Sequence, residues 1–240
     1  MTNRAEASPG LLARITGVLL LVMAVGAGFA EGWVRGQLVA PGDAAATAAN
    51  ILASGRLYRL GLVGYLVAFL CDVPVAVLLY VLLRSVSRPL ALVAAAFRLV
   101  YAAFVGANLV LYLGAHAFLS GAGYLGAFET PQLQALALLC LDMHEQGFHL
   151  ALVFFGVHLL LLAVLLLRST SFPKVLGVLI ALAGASYLIG NVSLFLAPEV
   201  NAVLAPFLAL PASFELVLAL WLTVKGLKQS DRAAGAGLGG

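Results

Sequence analysis

LDMHEQGFHLALVFFGVHLL, residues 141–160, holds three of the chain's four histidines and two of its ten acidic residues in an otherwise apolar stretch. Its reading decides the fold: either a metal-binding helix of an enzyme or a membrane helix that carries polar groups. Residues 150–167 contain a single polar side chain, His158. A run of this kind approaches the ~20 apolar residues needed to cross a hydrocarbon core. The metal reading is weaker. HEQGFH resembles the HExxH of zinc proteases but has one residue too many, so its histidines stand at i and i+5. At about 100° per residue they diverge by about 140° and cannot share one ion on a regular helix. A π-bulge at Gln146-Gly147 would bring His144 and His149 together. Without it, Asp142, Glu145 and His149 share one face, and His144 and His158 point to nearly the opposite one. The first three either hold a divalent metal or are simply solvated near the outer end of an overlong helix.

The rest of the chain repeats the membrane signal. With 63% hydrophobic and 10% charged residues and a mean hydropathy of +1.10 over 240 residues, it lies far from soluble domains, in which about 25% of residues are charged. The net charge of +3 comes from residues at the ends of apolar segments and forms no basic patch, which argues against a nucleic-acid partner. Cys71 and Cys140 lack CxxC spacing, so no disulfide framework or thiolate metal site is indicated. Arg4 and Arg14 before ITGVLLLVMAVGAGFA imitate a secretory signal, yet the apolar run continues to Trp33 and Val34, which favours a retained first helix.

Charged and Pro/Gly punctuation divides the chain into six segments, about 11–34, 57–84, 89–119, 132–167, 174–197 and 202–225. The fold expected is an all-α bundle of six transmembrane helices spanning 11–228, after a cytoplasmic segment (1–10) and before a disordered tail (229–240). Pro89, Pro131 and Pro173 stand at first turns, and Pro198 follows the fifth segment. The Lys and Arg near 4–14, 84–88, 168–174 and 225–232 fall on one side, which makes both termini cytoplasmic and the protein a multi-pass plasma-membrane one. Arg35, Arg56 and Arg59 are exceptions on the other side. Between Asp43 as N-cap and Gly55 as stop, residues 43–54 read as a short interfacial helix. Trp33 and Trp221 fit the aromatic belts.

Ionisable groups at membrane depth cost roughly 2.5–3.5 kcal/mol each, so they face the bundle interior and pair. At ~1.5 Å per residue, Asp72, Arg98, His158 and Glu215 lie roughly 15–18 Å deep, at the midplane. Asp72 and Arg98 flank the tight RSVSRP turn (84–89) at nearly equal distances, which predicts an ion pair. A shallower outer vestibule holds Glu31, Asn108, His149 and Asn191, at roughly 25–30 Å by the same count. On the third helix, Arg98, Tyr101, Val105, Asn108, Tyr112 and His116 form an inward stripe. Gly177 and Gly184, seven apart, mark a close helix contact.

Three functions fit these residues. The midplane centre binds a small or lipophilic ligand or carries protons. Alternatively, an intramembrane enzyme acts on a lipid or isoprenoid, with Glu215 or Asp72 as acid or base, or with metal at Asp142, Glu145 and His149. The third is a non-catalytic membrane partner or scaffold. The only sign of a carrier is the APFLALPASFE run, with Pro206 and Pro211 before Glu215.

The runs GDAAATAANILASGRLYRLGL (42–62), DVPVAVLLY (72–80), HLALVFFGVHLLLLAVLLLRSTSFPKVLGVLIALAGASYLI (149–189) and ELVLALWLTVKG (215–226) together resemble the bacterial membrane family described as domain of unknown function 4386. The resemblance covers most of 11–228 and matches that family's pattern at Asp43, Arg59, Asp72, His158 and Glu215. It departs at LLAVLLLRS, where the family often carries a Gly-Tyr pair. The resemblance implies a bacterial integral membrane protein of several helices, without an assigned reaction, ligand or catalytic residue.

Overall fold

The computed structural model describes residues 8–227, and the tail expected at 229–240 lies outside them. Among the described residues every regular element is helical. α1 (Pro9–Ala27) passes into a π-helical segment (Gly28–Arg35) and a last α-helical turn, α2 (Gly36–Leu38). Then come α3 (Ala44–Ala53), α4 (Gly55–Leu83), α5 (Arg88–Phe118), a 3-10 turn (Gly123–Ala127), α6 (Thr130–Arg168), α7 (Lys174–Leu196), α8 (Pro198–Ala212) and α9 (Glu215–Val224). These make six stretches long and apolar enough to cross a membrane: 9–38, α4, α5, α6, α7 and α8 with α9. Such a chain must satisfy its backbone within each segment, which helices do.

Punctuation residues set the boundaries. Asp43 caps α3, its Oδ1 accepting from the Ala46 N–H at 2.9 Å. Gly55 is not the stop expected: α3 already ends at Ala53 with Ser54 as its C-cap, and Gly55 begins α4. Ala197 alone separates α7 from α8, because Pro198 opens α8, where a missing N–H costs nothing. The last segment is divided, since Pro206 and Pro211 lie inside α8 and the chain turns at 213–214 before α9. At 39 residues, α6 is about 58 Å long, nearly twice a ~30 Å hydrocarbon core. It is regular α-helix throughout, so Gln146-Gly147 carries no π-bulge and His144 and His149 stay on different faces.

Two compact units divide the chain. The first comprises Met1–Leu21, Cys71–Val100 and Leu152–Gly240, the second Val22–Leu70 and Tyr101–Ala151. In the first unit Ala13, Val75, Leu162, Ile180 and Leu222 are buried, while Val73, Val77, Leu92 and Val178 are exposed. Exposed Val and Leu of this kind suit a lipid surface. Glycine permits close approach of helices here. A Cβ on Gly184 of α7 would stand 3.0 Å from the Gly156 carbonyl oxygen of α6, and one on Gly177 would stand 2.6 Å from Leu167 Cγ. Both glycines therefore face α6, as their spacing predicts, in the small-residue manner of membrane helices. In the second unit the core is Ala30, Val34, Ile51, Tyr65, Leu109 and Leu141.

Candidate functional site

The first unit holds all four residues expected at the midplane. Asp72 stands on α4 two residues before Pro74, and Arg98 on α5. Their side chains are each 1% exposed and pair at 2.7 Å, Oδ1 to Nη2. The contact is ionic rather than well aligned, since neither Asp72 oxygen accepts a hydrogen bond of good geometry among the described residues. His158 completes the grip on Arg98. Its Nδ1 lies 2.8 Å from the Ala94 carbonyl oxygen, to which it donates. That leaves Nε2 to accept from Arg98 Nη1 at 3.2 Å. The Phe155 ring, one turn back on α6, lies 5.3 Å from the guanidinium carbon, a cation–π contact. Arg98 is thus fixed by a carboxylate, an imidazole and an aromatic face.

Glu215 joins this group by another route. It is the first residue of α9, half-buried, where the chain has just been broken by the α8 prolines. Tyr187 of α7 donates its hydroxyl to Glu215 Oε1 at 2.9 Å, and its ring packs edge-on to Phe155 at 5.4 Å. Tyr187 and Phe155 were not singled out from sequence. The signal was present, because a tyrosine hydroxyl at membrane depth requires a polar partner. Asn191 donates back to the Tyr187 carbonyl at 2.7 Å. It therefore belongs to the first unit, not with Glu31, Asn108 and His149 of the second, so the expected four-residue vestibule is not gathered in one unit.

The second unit has a polar core of its own. Arg35, an exception to the charge pattern, reaches Glu145 Oε2 at 2.5 Å and stands 3.6 Å from Glu31 Oε1. Tyr65 donates to Glu31 Oε2. The π-helical segment carries both Glu31 and Arg35, and such segments are frequent at functional sites. His144, which sequence reasoning left without a role, is 1% exposed at the centre of this unit. Its ring meets Tyr65 at 5.3 Å and Tyr112 at 5.6 Å, both edge-on. Asn108 donates to the His144 carbonyl at 2.7 Å, and His144 Nδ1 lies 3.2 Å from the Asn108 carbonyl oxygen. A proton assigned to Nδ1 satisfies that oxygen, and Nε2 has no hydrogen-bond partner among the described residues. The glycine of HEQGFH also gains a purpose. A Cβ on Gly147 would come within 2.8 Å of Asn108 Cγ, so the amide of Asn108 occupies the space a side chain would fill.

The acidic stripe is not gathered as a metal site. Asp142 is exposed, Glu145 is turned to Arg35, and His149 is half-buried. Among the described residues no three of His, Cys, Asp and Glu converge closely enough to hold one ion. The stripe on α5 does face inward: Arg98, Tyr101, Val105, Asn108 and Tyr112 are all buried, and His116 is half-buried at its end.

The profile of the family described as Domain of unknown function (DUF4386) matches residues 15–226. The chain belongs to this family. An uncharacterized protein of the archaeon Archaeoglobus fulgidus is 33% identical to this DUF4386 protein over 170 residues, 71% of this chain and 86% of that one. The resemblance implies a bacterial protein, and this archaeal relative of the DUF4386 chain does not bear that out. No solved structure matches it.

Proposed function

We propose that this DUF4386 protein binds a small or lipophilic ligand, or a proton, at Glu215, with Asp72, Arg98 and His158 as the rigid polar support behind it. The observation that carries the reading is the placement of Glu215. It is a half-buried carboxyl at the break between α8 and α9, oriented by the Tyr187 hydroxyl. Discontinuous helices are where membrane proteins present polar groups to ligands near the midplane. Arg98, held by Asp72, His158 and Phe155, is too constrained to be the mobile partner and serves as a fixed positive field. The ligand this favours offers a hydrogen-bond donor or positive charge to the carboxylate and an apolar body to the lipid-facing helices.

Glu215→Gln tests this. The carboxylate leaves while the amide still accepts from Tyr187, so thermal stability in detergent is expected to change little. Native mass spectrometry of the purified wild type is expected to retain a co-purifying small-molecule adduct, reduced at least about tenfold in the variant. Equal adducts in both proteins, or none in either together with identical proton uptake on acidification, would remove Glu215 from the site.

We further propose that both termini lie on the cytoplasmic side of a plasma membrane, a reading supported by the basic residues Arg84, Arg88, Arg168 and Lys174 at helix ends. Reporter fusions after Gly226 are expected to be active as cytoplasmic enzymes and silent as exported ones. The opposite pattern would invert the bundle.

A further inference from the structure

Arg56 and Arg59 break the charge pattern, and unlike Arg35 they are not neutralised. Both are exposed, and among the described residues neither forms an ion pair or hydrogen bond through its side chain. They lie in the first turns of α4, immediately after the end of α3 at Ala53. With His116, from the last turn of α5, they line a cleft of about 440 Å³ in the second unit. That volume falls in the range of about 300–1,000 Å³ typical of small-ligand pockets. Ile51 and Leu119 supply its apolar wall, Leu52 is exposed at its edge, and no acidic residue lines it.

Two guanidinium groups and an imidazole converging without a carboxylate make a site for an anion. Guanidinium favours phosphate, whose oxygens its planar fork meets in pairs. The amino end of α4 adds a favourable field to the same place. The cleft also lies at the end of two membrane-crossing helices, α4 and α5, beside a short apolar helix, α3. That is the level at which lipid phosphates sit. We propose that this cleft binds a phosphate-bearing anion, with Arg56 and Arg59 as its ligands and His116 as a third donor. The source is either a phospholipid headgroup or a small free phosphate. This site is separate from Glu215, so the two readings stand or fall independently.

The test uses the full-length protein in detergent, with phosphatidylglycerol, diacylglycerol and inorganic phosphate as probes, read by native mass spectrometry. Wild type is expected to retain phosphatidylglycerol and not diacylglycerol, which shares the acyl chains but lacks phosphate. The double variant Arg56→Gln/Arg59→Gln is expected to bind phosphatidylglycerol at least about tenfold more weakly, and Arg56→Lys/Arg59→Lys to keep most of the binding. Inorganic phosphate binding with the same loss in the Gln variant, in place of the lipid, supports the site and assigns the free source. Should the Gln variant not fold, His116→Gln is read instead, with an expected loss of about threefold. Phosphatidylglycerol and phosphate bound equally by wild type and variant, or bound by neither, would overturn the proposal.

Discussion

Asp72→Asn is expected to cost about 3–5 kcal/mol of stability, the effect of leaving one partner of a buried ion pair uncompensated. Arg98 is 1% exposed, so its charge cannot relax into water when the carboxylate is gone. His158 and Phe155 remain beside it, but His158 Nε2 offers a neutral acceptor and Phe155 only a ring face. Arg98→Gln strands Asp72 in the same way. The double variant Asp72→Asn/Arg98→Gln removes both charges and is expected to recover most of the loss, because pairing charges at depth seldom contributes more than an uncharged replacement. Thermal or denaturant unfolding in detergent, arranged as a double-mutant cycle, reads the coupling directly. If both single variants are as stable as wild type, the pair is not a packing lock and Asp72 belongs with Glu215 in the ligand site.

The second large effect is expected at Gly17. A Cβ there would stand 2.5 Å from the Thr223 nitrogen and 2.7 Å from the Ala219 carbonyl oxygen of α9. Both are backbone atoms, so no side-chain rotation relieves the clash. The helices must separate. Gly17→Val is therefore expected to reach or exceed the upper end of the about 1–3 kcal/mol cost of overpacking. Val18→Leu, beside it but 48% exposed, is the control and is expected to be neutral. The comparison is read as melting temperature and as yield of monodisperse protein after size exclusion. Equal behaviour of the two variants would mean that α1 does not meet α9 at Gly17.

How much of this was legible depended on whether neighbours in sequence were also neighbours in space. Asp72 and Arg98 flank one tight turn at nearly equal distances, so their pairing came from helix length alone. Gly177 and Gly184 share a face by heptad spacing, and the direction of that face was legible because small residues seek a neighbouring helix. His144 was different. The helical wheel correctly separated it from Asp142, Glu145 and His149, but nothing local told which face of so apolar a helix turns inward. Its shared face with His158 was the available clue. The tie of Glu215 to the centre through Tyr187 and Phe155 was illegible because it needs the relative placement of α6, α7 and α9. Arg35 looked like a topological exception because its partner Glu145 lies 110 residues away in sequence. Pro206 and Pro211 did announce a weak point before Glu215, and the chain indeed breaks there.

The π-helical stretch between Gly28 and Arg35 has a consequence of another kind. Each of its turns holds more chain than an α-turn, so the stretch absorbs a surplus residue that a regular α-helix could not. If the same residues closed into α form with none removed, the residues after the surplus one would turn by about one residue's step, about 100°, away from the faces they hold. Removing one residue other than Glu31 and Arg35 would instead let the stretch close into α form with its flanking faces kept. The spacing, as much as the identity of the side chains, is what turns Glu31 to Tyr65 and Arg35 to Glu145.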